Sequence, residues 1–209
     1  MEPSRIEAQR AVGIRDDWSM FAERPPEQIM VDDVGVVLRR HRSHDVDPLH
    51  AVIEENRDHL RPFMPWADQT RDDTAGFLTG SIADWDAGTN FNLLVTAPAN
   101  GSDPEEILGG IGLHERGAER SLEIGYWLRR SATGRGVITS AARELTNIAL
   151  ALDGVDSVEI HCDEANLKSA AVPRRLGYVL DRIIERPPTA PGEHGRLMAF
   201  VRRAPIESA

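Results

Sequence analysis

A mixed α+β domain follows from three features of this sequence. Short apolar and aromatic runs, bounded by glycine, proline and polar residues, mark strands. Three of these runs follow one another with only turns between them, which favours an antiparallel meander. The later ones alternate with segments of helical periodicity, so the predicted order is β-α-α-β-β-β-α-β-α-β-β. The chain of 209 residues is long enough for one domain with an appendage, and shows no internal repeat.

Residues 1–32 read as an N-terminal extension broken by Pro25-Pro26, with Ile14, Trp18, Met20 and Phe21 able to pack on the body or on another chain. Asp33 to Arg40 is the first strand. His41, His44 and His50 follow without acidic or cysteine companions at metal spacing, so they are expected to be solvated loop and helix-edge histidines. Pro48 opens a helix running through Leu49, Val52 and Ile53 toward Leu60. The loop His59-Leu60-Arg61-Pro62-Phe63-Met64-Pro65-Trp66 is stiffened by two prolines and carries aromatics suited to ligand contact. A second helix from Asp72 to Trp85 has Ala75, Phe77, Leu78, Ile82 and Trp85 as its apolar members. Phe63, Trp66, Trp85 and Asn92 are assigned to the acceptor side of a binding site. Strands at 91–96, 107–114 and 122–128 form the meander, and two late strands span 178–184 and 196–201. The loop Arg186 to Gly192 between the late strands is placed to border a ligand.

Leu122 to Gly177 organises the rest. A buried strand, Leu122 to Leu128, breaks at Thr133-Gly134-Arg135-Gly136. Ile138, Ala141, Ala142, Leu145, Ile148, Ala149 and Leu152 then recur at three- and four-residue spacing, the pattern of an amphipathic helix. Ser157 to Cys162 is the next strand, and Asp163 or Asn166 caps a helix that closes at Gly177. A strand that feeds a glycine turn and a helix N-terminus presents unpaired N–H groups and the positive end of the helix dipole, a place to hold pyrophosphate.

The formal charge of −10 and pI near 5.2 argue against a general nucleic-acid binder and suit a cationic substrate such as an amine. The single cysteine, Cys162, allows no internal disulfide, which fits a cytoplasmic setting. Neither a secretory signal nor a membrane span is expected. There is no G-x-G-x-x-G fingerprint and no P-loop lysine to support a nucleotide-binding alternative.

Glu123-Ile124-Gly125-Tyr126-Trp127-Leu128, Gly134-Arg135-Gly136-Val137-Ile138-Thr139, Asn166-Leu167-Lys168-Ser169-Ala170 and Arg174-Arg175-Leu176-Gly177-Tyr178 together resemble the GNAT acyltransferases, in particular the RimJ/RimL-like ribosomal-protein N-terminal acetyltransferases. The loop from Leu60 to Trp66 is similar to one in that branch. The resemblance covers residues 33–203, within an acyltransferase domain drawn at 33–205. It implies a mostly antiparallel sheet flanked by helices, with a splayed strand pair that receives the pantetheine arm of acetyl-CoA. It further implies that backbone groups of Trp127, Leu128 and Arg129 pair with the arm. The amides from Arg135 through Val137 and Ile138 to Thr139, with Gly134 and Gly136 permitting approach, would hold the pyrophosphate. Many members carry Gln or Arg three residues before the first motif glycine; here Ser131 stands there, leaving Arg130 or Arg135 for side-chain help.

Asn166 resembles the asparagine that hydrogen-bonds the pantetheine arm, and Ser169 sits where a hydroxyl could protonate the departing thiolate. Glu123 occupies the position of the glutamate base in the histone-acetylating branch; Glu115, His114 and His161 are lesser candidates. A carboxylate in a dry cleft is a suitable base for an ammonium acceptor. Cys162 reads as a small buried strand residue. The implied reaction is direct attack in a ternary complex, with the Leu128 N–H on the oxyanion and no metal. The acceptor would be a protein α-amine or a small cationic amine, and a homodimer is the default assembly. Two alternatives stay open: another acyl donor such as succinyl-CoA, or a non-catalytic acyl-CoA-binding protein.

Overall fold

Strand alternation sends side chains to both faces of a sheet, and in this chain both faces are apolar. The computed structural model describes residues 24–99, 105–115 and 120–204. Their strands are β1 Gln28–Val31, β2 Val36–Arg40, β3 Asn90–Ala97, β4 Glu106–His114, β5 Ser121–Leu128, β6 Ser157–Asp163, β7 Val179–Glu185 and β8 Arg196–Arg203. They form one sheet in the order β1-β2-β3-β4-β5-β6-β8-β7. Every neighbouring pair is antiparallel except β5 and β6.

Helices α4 (Val137–Ala151) and α5 (Leu167–Arg175) cover one face. Ile138, Ala141, Ala142, Leu145 and Ala149 of α4 pack there with Phe91, Leu93, Ile111, Leu113, Leu122, Ile124, Val158 and Ile160. Helices α1 (Val46–Glu55) and α3 (Arg71–Ala87) cover part of the other. There Leu49, Val52, Ile53 and Leu78 meet Leu94 and Ile107, with Trp66 and Trp127 at the margin. Thr70 starts α3 with a capping box to Asp73, and Gly88 ends it in the left-handed conformation at φ 76°.

Three expectations change. Gln28–Val31, left within the proline-broken extension, is an edge strand whose Ile29 and Val31 turn inward while Met30 faces out. Its four residues are too few for periodicity to register. The helix expected through Leu60 divides into α1 and a short α2 (Arg57–Leu60), because Asn56 leaves helical geometry at φ −110°. The Asn56 side chain is occupied: Nδ2 donates to the Val52 carbonyl and Oδ1 accepts from Arg130 N. His41 is not solvated: it is 5% exposed, bonded through Nδ1 to Ser81 Oγ, and burial lowers its pKa to about 4. The segment carrying Ile14, Trp18, Met20 and Phe21 lies outside the described residues.

Candidate active site

β5 gives different chemistry to its two faces. Ile124 and Tyr126 pack toward α4 and α5, whereas Glu123, Gly125 and Trp127 turn toward the side of α1 and α3. β5 pairs with β6 at only three positions, Ser121↔Ser157, Leu122↔Val158 and Glu123↔Glu159. Beyond them β5 continues beside β4, up to Leu128 opposite Gly109, and β6 continues beside β8, down to Asp163 opposite Leu197. The two parallel strands therefore part after Glu123, toward their C-terminal ends, and a slot opens between them.

Glycine is required where β4 meets the end of β5. A Cβ at Gly109 would lie 2.2 Å from the Trp127 carbonyl oxygen and 2.9 Å from Leu128 Cα. From the other side, Asn56 Oδ1 takes the Arg130 N–H at 2.9 Å, and His59 hydrogen-bonds the Leu128 backbone. Burial, with Arg130 and Lys168 nearby, depresses the His59 pKa. Arg129 departs from its expected role at the arm. Its N–H donates to Leu108 O, its carbonyl accepts from Ala132 N, and its guanidinium pairs with Glu106 and Glu55. Trp127 pairs with Gly110 and its carbonyl lies against Gly109, so Leu128 is left as the strand residue whose backbone turns away from β4.

Where the chain leaves β5, Gly134 and Gly136 adopt left-handed φ values of 76° and 79°, a region costly for residues with a side chain. Gly136 is the N-cap of α4 and brings no side-chain cap. The first helical turn is closed by Ser140 N to Gly136 O, so the N–H groups of Val137, Ile138 and Thr139 precede the first intrahelical donor. The side chains of Val137 and Ile138 are buried while Gly134, Arg135 and Gly136 are exposed. The N–H groups at this helix start are left without intrahelical acceptors.

The wall of the slot on the α5 side carries hydroxyls. Asn166 caps α5, its Oδ1 accepting from Ser169 N at 3.1 Å. Pro173 lies inside this helix and has no N–H, so the Ser169 carbonyl four residues earlier lacks its helical partner. The Tyr126 hydroxyl fills the vacancy, donating to Ser169 O at 3.0 Å, and Ser169 Oγ in turn donates to the Tyr126 oxygen at 3.2 Å. Burial raises the Tyr126 pKa and pushes the Cys162 thiol up to about 11, so both groups hold their protons at neutral pH. The Tyr126 partnership was not expected; Pro173, placed four residues after Ser169, was its signal in the sequence.

The opposite side of the sheet carries the ionisable groups. Glu123, 15% exposed at its side chain, sits where the strands part, with His161 Nδ1 3.4 Å away. His161 Nε2 bonds Glu159, whose side chain is 2% exposed and is also held by Arg182 at 2.7 Å. Burial alone would raise the Glu159 pKa, but the hydrogen bonds from Arg182 and His161 outweigh it and hold the carboxyl below its usual range. Glycines keep the floor low: a Cβ at Gly112 would lie 2.8 Å from Asn92 Oδ1, and one at Gly125 3.3 Å from His114 Nε2. Asn92 and His114 thus border the same trough as Glu123.

Trp66 stacks edge-on to Trp127 at 5.4 Å, and Phe63 lies on the same partly exposed loop. The β7–β8 loop reaches this loop, Gly192 N donating to Pro62 O at 2.7 Å. Trp85 is a correction. It is 1% exposed in the larger core, edge-on to Phe91, and has no surface to offer a ligand. Among the described residues no cluster of three or more His, Cys, Asp or Glu could hold a metal ion, and no helix is long and apolar enough to cross a membrane.

The sequence matches the family model described as an acetyltransferase (GNAT) domain over residues 36–179. It is 24% identical over 144 residues to the ribosomal-protein-serine acetyltransferase of Escherichia coli (strain K12), covering 68% of this chain and 77% of that one. It is 38% identical to YdaF of Bacillus subtilis (strain 168), a provisionally assigned ribosomal N-acetyltransferase. That match spans 74 residues, 35% of this chain and 40% of the relative's length. Among solved structures, the microcin C7 self-immunity acetyltransferase MccE, in complex with acetyl-CoA and AMP, has a TM-score of 0.74 at 21% identity. It covers 86% of this chain and 97% of its own. A family model matched across the sheet, the glycine turn and the start of β7 places this chain in the GNAT acetyltransferase family.

Proposed function

We propose that this protein transfers the acetyl group of acetyl-CoA to the α-amine of a protein N-terminus, with ribosomal proteins as the substrate class. The observation that carries the reading is the slot between β5 and β6, which ends beside the uncapped N-terminus of α4. The ribosomal assignment takes its support from the names of the E. coli and B. subtilis relatives.

In this account the pantetheine arm lies along Ile124 to Leu128 and hydrogen-bonds the Leu128 backbone, while Asn166 donates to it through Nδ2. The pyrophosphate rests on the amides from Arg135 to Thr139. The thioester then sits in the gap with a different environment on each side. The acceptor amine enters over the glycine floor beside Glu123, between the Phe63–Trp66 loop and the β7–β8 loop, with Asn92 at its margin. The thiolate leaves toward Ser169, whose Oγ proton, held on the Tyr126 oxygen in the resting protein, turns to the sulfur. Holding the amine against the thioester carbonyl turns a two-molecule encounter into an intramolecular addition, and positioning of this kind accounts for much of the acceleration expected in acyl transfer. The Leu128 N–H stabilises the developing oxyanion.

Of the groups that could take a succinyl carboxylate, Arg129, Arg130 and the β7–β8 loop, Arg129 is already paired with Glu106 and Glu55. The test is mass spectrometry of peptides bearing free ribosomal-protein N-termini, incubated with acetyl-CoA or succinyl-CoA. Acetylation confined to the α-amine, and absent from N-terminally blocked peptides, is the expected result. Binding of acetyl-CoA without transfer would make the protein a sensor, and preferential succinylation would replace the donor.

A further inference from the structure

His161 stands between two carboxylates on the acceptor face, and the buried one fixes how the ring is used. We infer that His161 receives, through Nδ1, the proton that Glu123 takes from the acceptor amine, and that the Glu159–Arg182 pair sets the orientation this requires. The inference rests on the acetyl-transfer reading above and deepens it by naming a positioning residue that acts through Glu123.

Glu159 is the starting point. Its side chain is 2% exposed, Arg182 Nη2 donates to its Oε2 at 2.7 Å, and Arg182 is itself braced by Asp181. An ionised carboxylate only accepts hydrogen bonds, so the His161 nitrogen that meets it, Nε2 at 2.5 Å, carries a hydrogen. In the neutral ring Nδ1 is then the unprotonated nitrogen, because the bond made by one ring nitrogen decides the state of the other. Nδ1 faces Glu123 Oε2 at 3.4 Å.

The surroundings contain no competing partner at that nitrogen among the described residues. On β8 the residue opposite His161 is Ala199. From β4, His114 stands opposite Glu123. From β7 the charged group is Arg182, already committed to Glu159 and Asp181. Glu123 thus has a base beside it, His161 standing two residues beyond Glu159 where β6 no longer pairs with β5.

The proton balance is simple. An N–H bond of the acceptor ammonium breaks as an O–H bond forms on Glu123. That O–H bond breaks as Nδ1–H forms on His161, leaving an imidazolium between two carboxylates and Glu123 ionised again. The freed amine lone pair attacks the thioester carbon; as the C–S bond breaks the thiolate takes the Ser169 Oγ proton, the second amine proton passes from the new amide nitrogen to water, and Ser169 regains one proton from water. The imidazolium returns its Nδ1 proton to water once the acetylated product has left. One proton is released per acetyl group transferred.

His161→Gln separates this role from a structural one. A glutamine amide can still donate to Glu159 and turn its oxygen to Glu123, but it cannot carry a proton. We expect kcat to fall at least tenfold while the KM and calorimetric affinity for acetyl-CoA stay within twofold. Retention of kcat within twofold, in a preparation where the unchanged protein turns over, would overturn the inference alone. Failure of the unchanged protein to acetylate any N-terminal peptide would overturn the reading beneath it. A second measurement needs no turnover and no variant: nitrogen NMR of the histidine-labelled protein, alone and with CoA. The expected neutral tautomer of His161 has hydrogen on Nε2 and none on Nδ1; the opposite tautomer would overturn the inference even where activity is intact.

Discussion

Replacing Gly136 with tryptophan should weaken acetyl-CoA binding at least a hundredfold, about 3 kcal/mol. Two causes act together. The residue holds φ 79° as the N-cap of α4, a conformation that costs a residue with a side chain roughly 1–2 kcal/mol. The added ring would also lie on the exposed approach to the amides of Val137, Ile138 and Thr139. Because the backbone cost alone lowers stability, the control matters. Gly88 holds φ 76° at the end of α3, with nothing within 4 Å of a built Cβ. Gly88→Trp should share the backbone cost and keep its acetyl-CoA affinity within twofold in isothermal calorimetry. Equal loss in both variants would show that stability, not the cradle, is being measured.

The second large effect is expected at Glu123. Glu123→Gln keeps size and hydrogen bonding but removes the carboxylate proposed to take the amine proton, and general-base assistance is worth roughly 10²–10⁴ in rate. Single-turnover acetylation of an N-terminal peptide should slow about a hundredfold, with acetyl-CoA affinity unchanged because Glu123 lies beneath the acceptor rather than along the arm. A rate within threefold of the unchanged protein would remove Glu123 from the reaction and return attention to His114 and Glu115. The buried Glu159 would not serve as the replacement base, since hydrogen bonds from Arg182 and His161 keep it ionised and occupied.

Most of the architecture was legible because it depends on local signals. The antiparallel meander of β3, β4 and β5, the amphipathic α4 and the Gly134–Gly136 turn each follow from spacing or from a residue whose backbone freedom is needed at that point. The slot itself entered only through family resemblance. What stayed hidden depends on which elements meet. Trp85 looked available because the periodicity of a helix does not say how deep its apolar face will sit, and Phe91 covers it. Arg129 looked like strand edge, but the Arg130–Ala132 turn that follows uses its carbonyl. The grouping of Glu123, Glu159, His161 and Arg182 depends on β8 inserting between β6 and β7. Arg182 then reaches Glu159 over Ala199, a residue small enough to be crossed. No spacing rule in the chain anticipates that strand order. Tyr126 is the intermediate case, since Pro173 announces a carbonyl in need of a donor without saying which hydroxyl will supply it.

A crystal structure of the protein with CoA bears most directly on the grip between main-chain amides and the acyl carrier. The arm should lie between Ile124–Leu128 of β5 and Ile160–Cys162 of β6, with the pyrophosphate on the N–H groups of Val137, Ile138 and Thr139 and the sulfur beside Ser169. CoA bound elsewhere, or β5 and β6 hydrogen-bonded to each other past Glu123 with the slot closed, would contradict it.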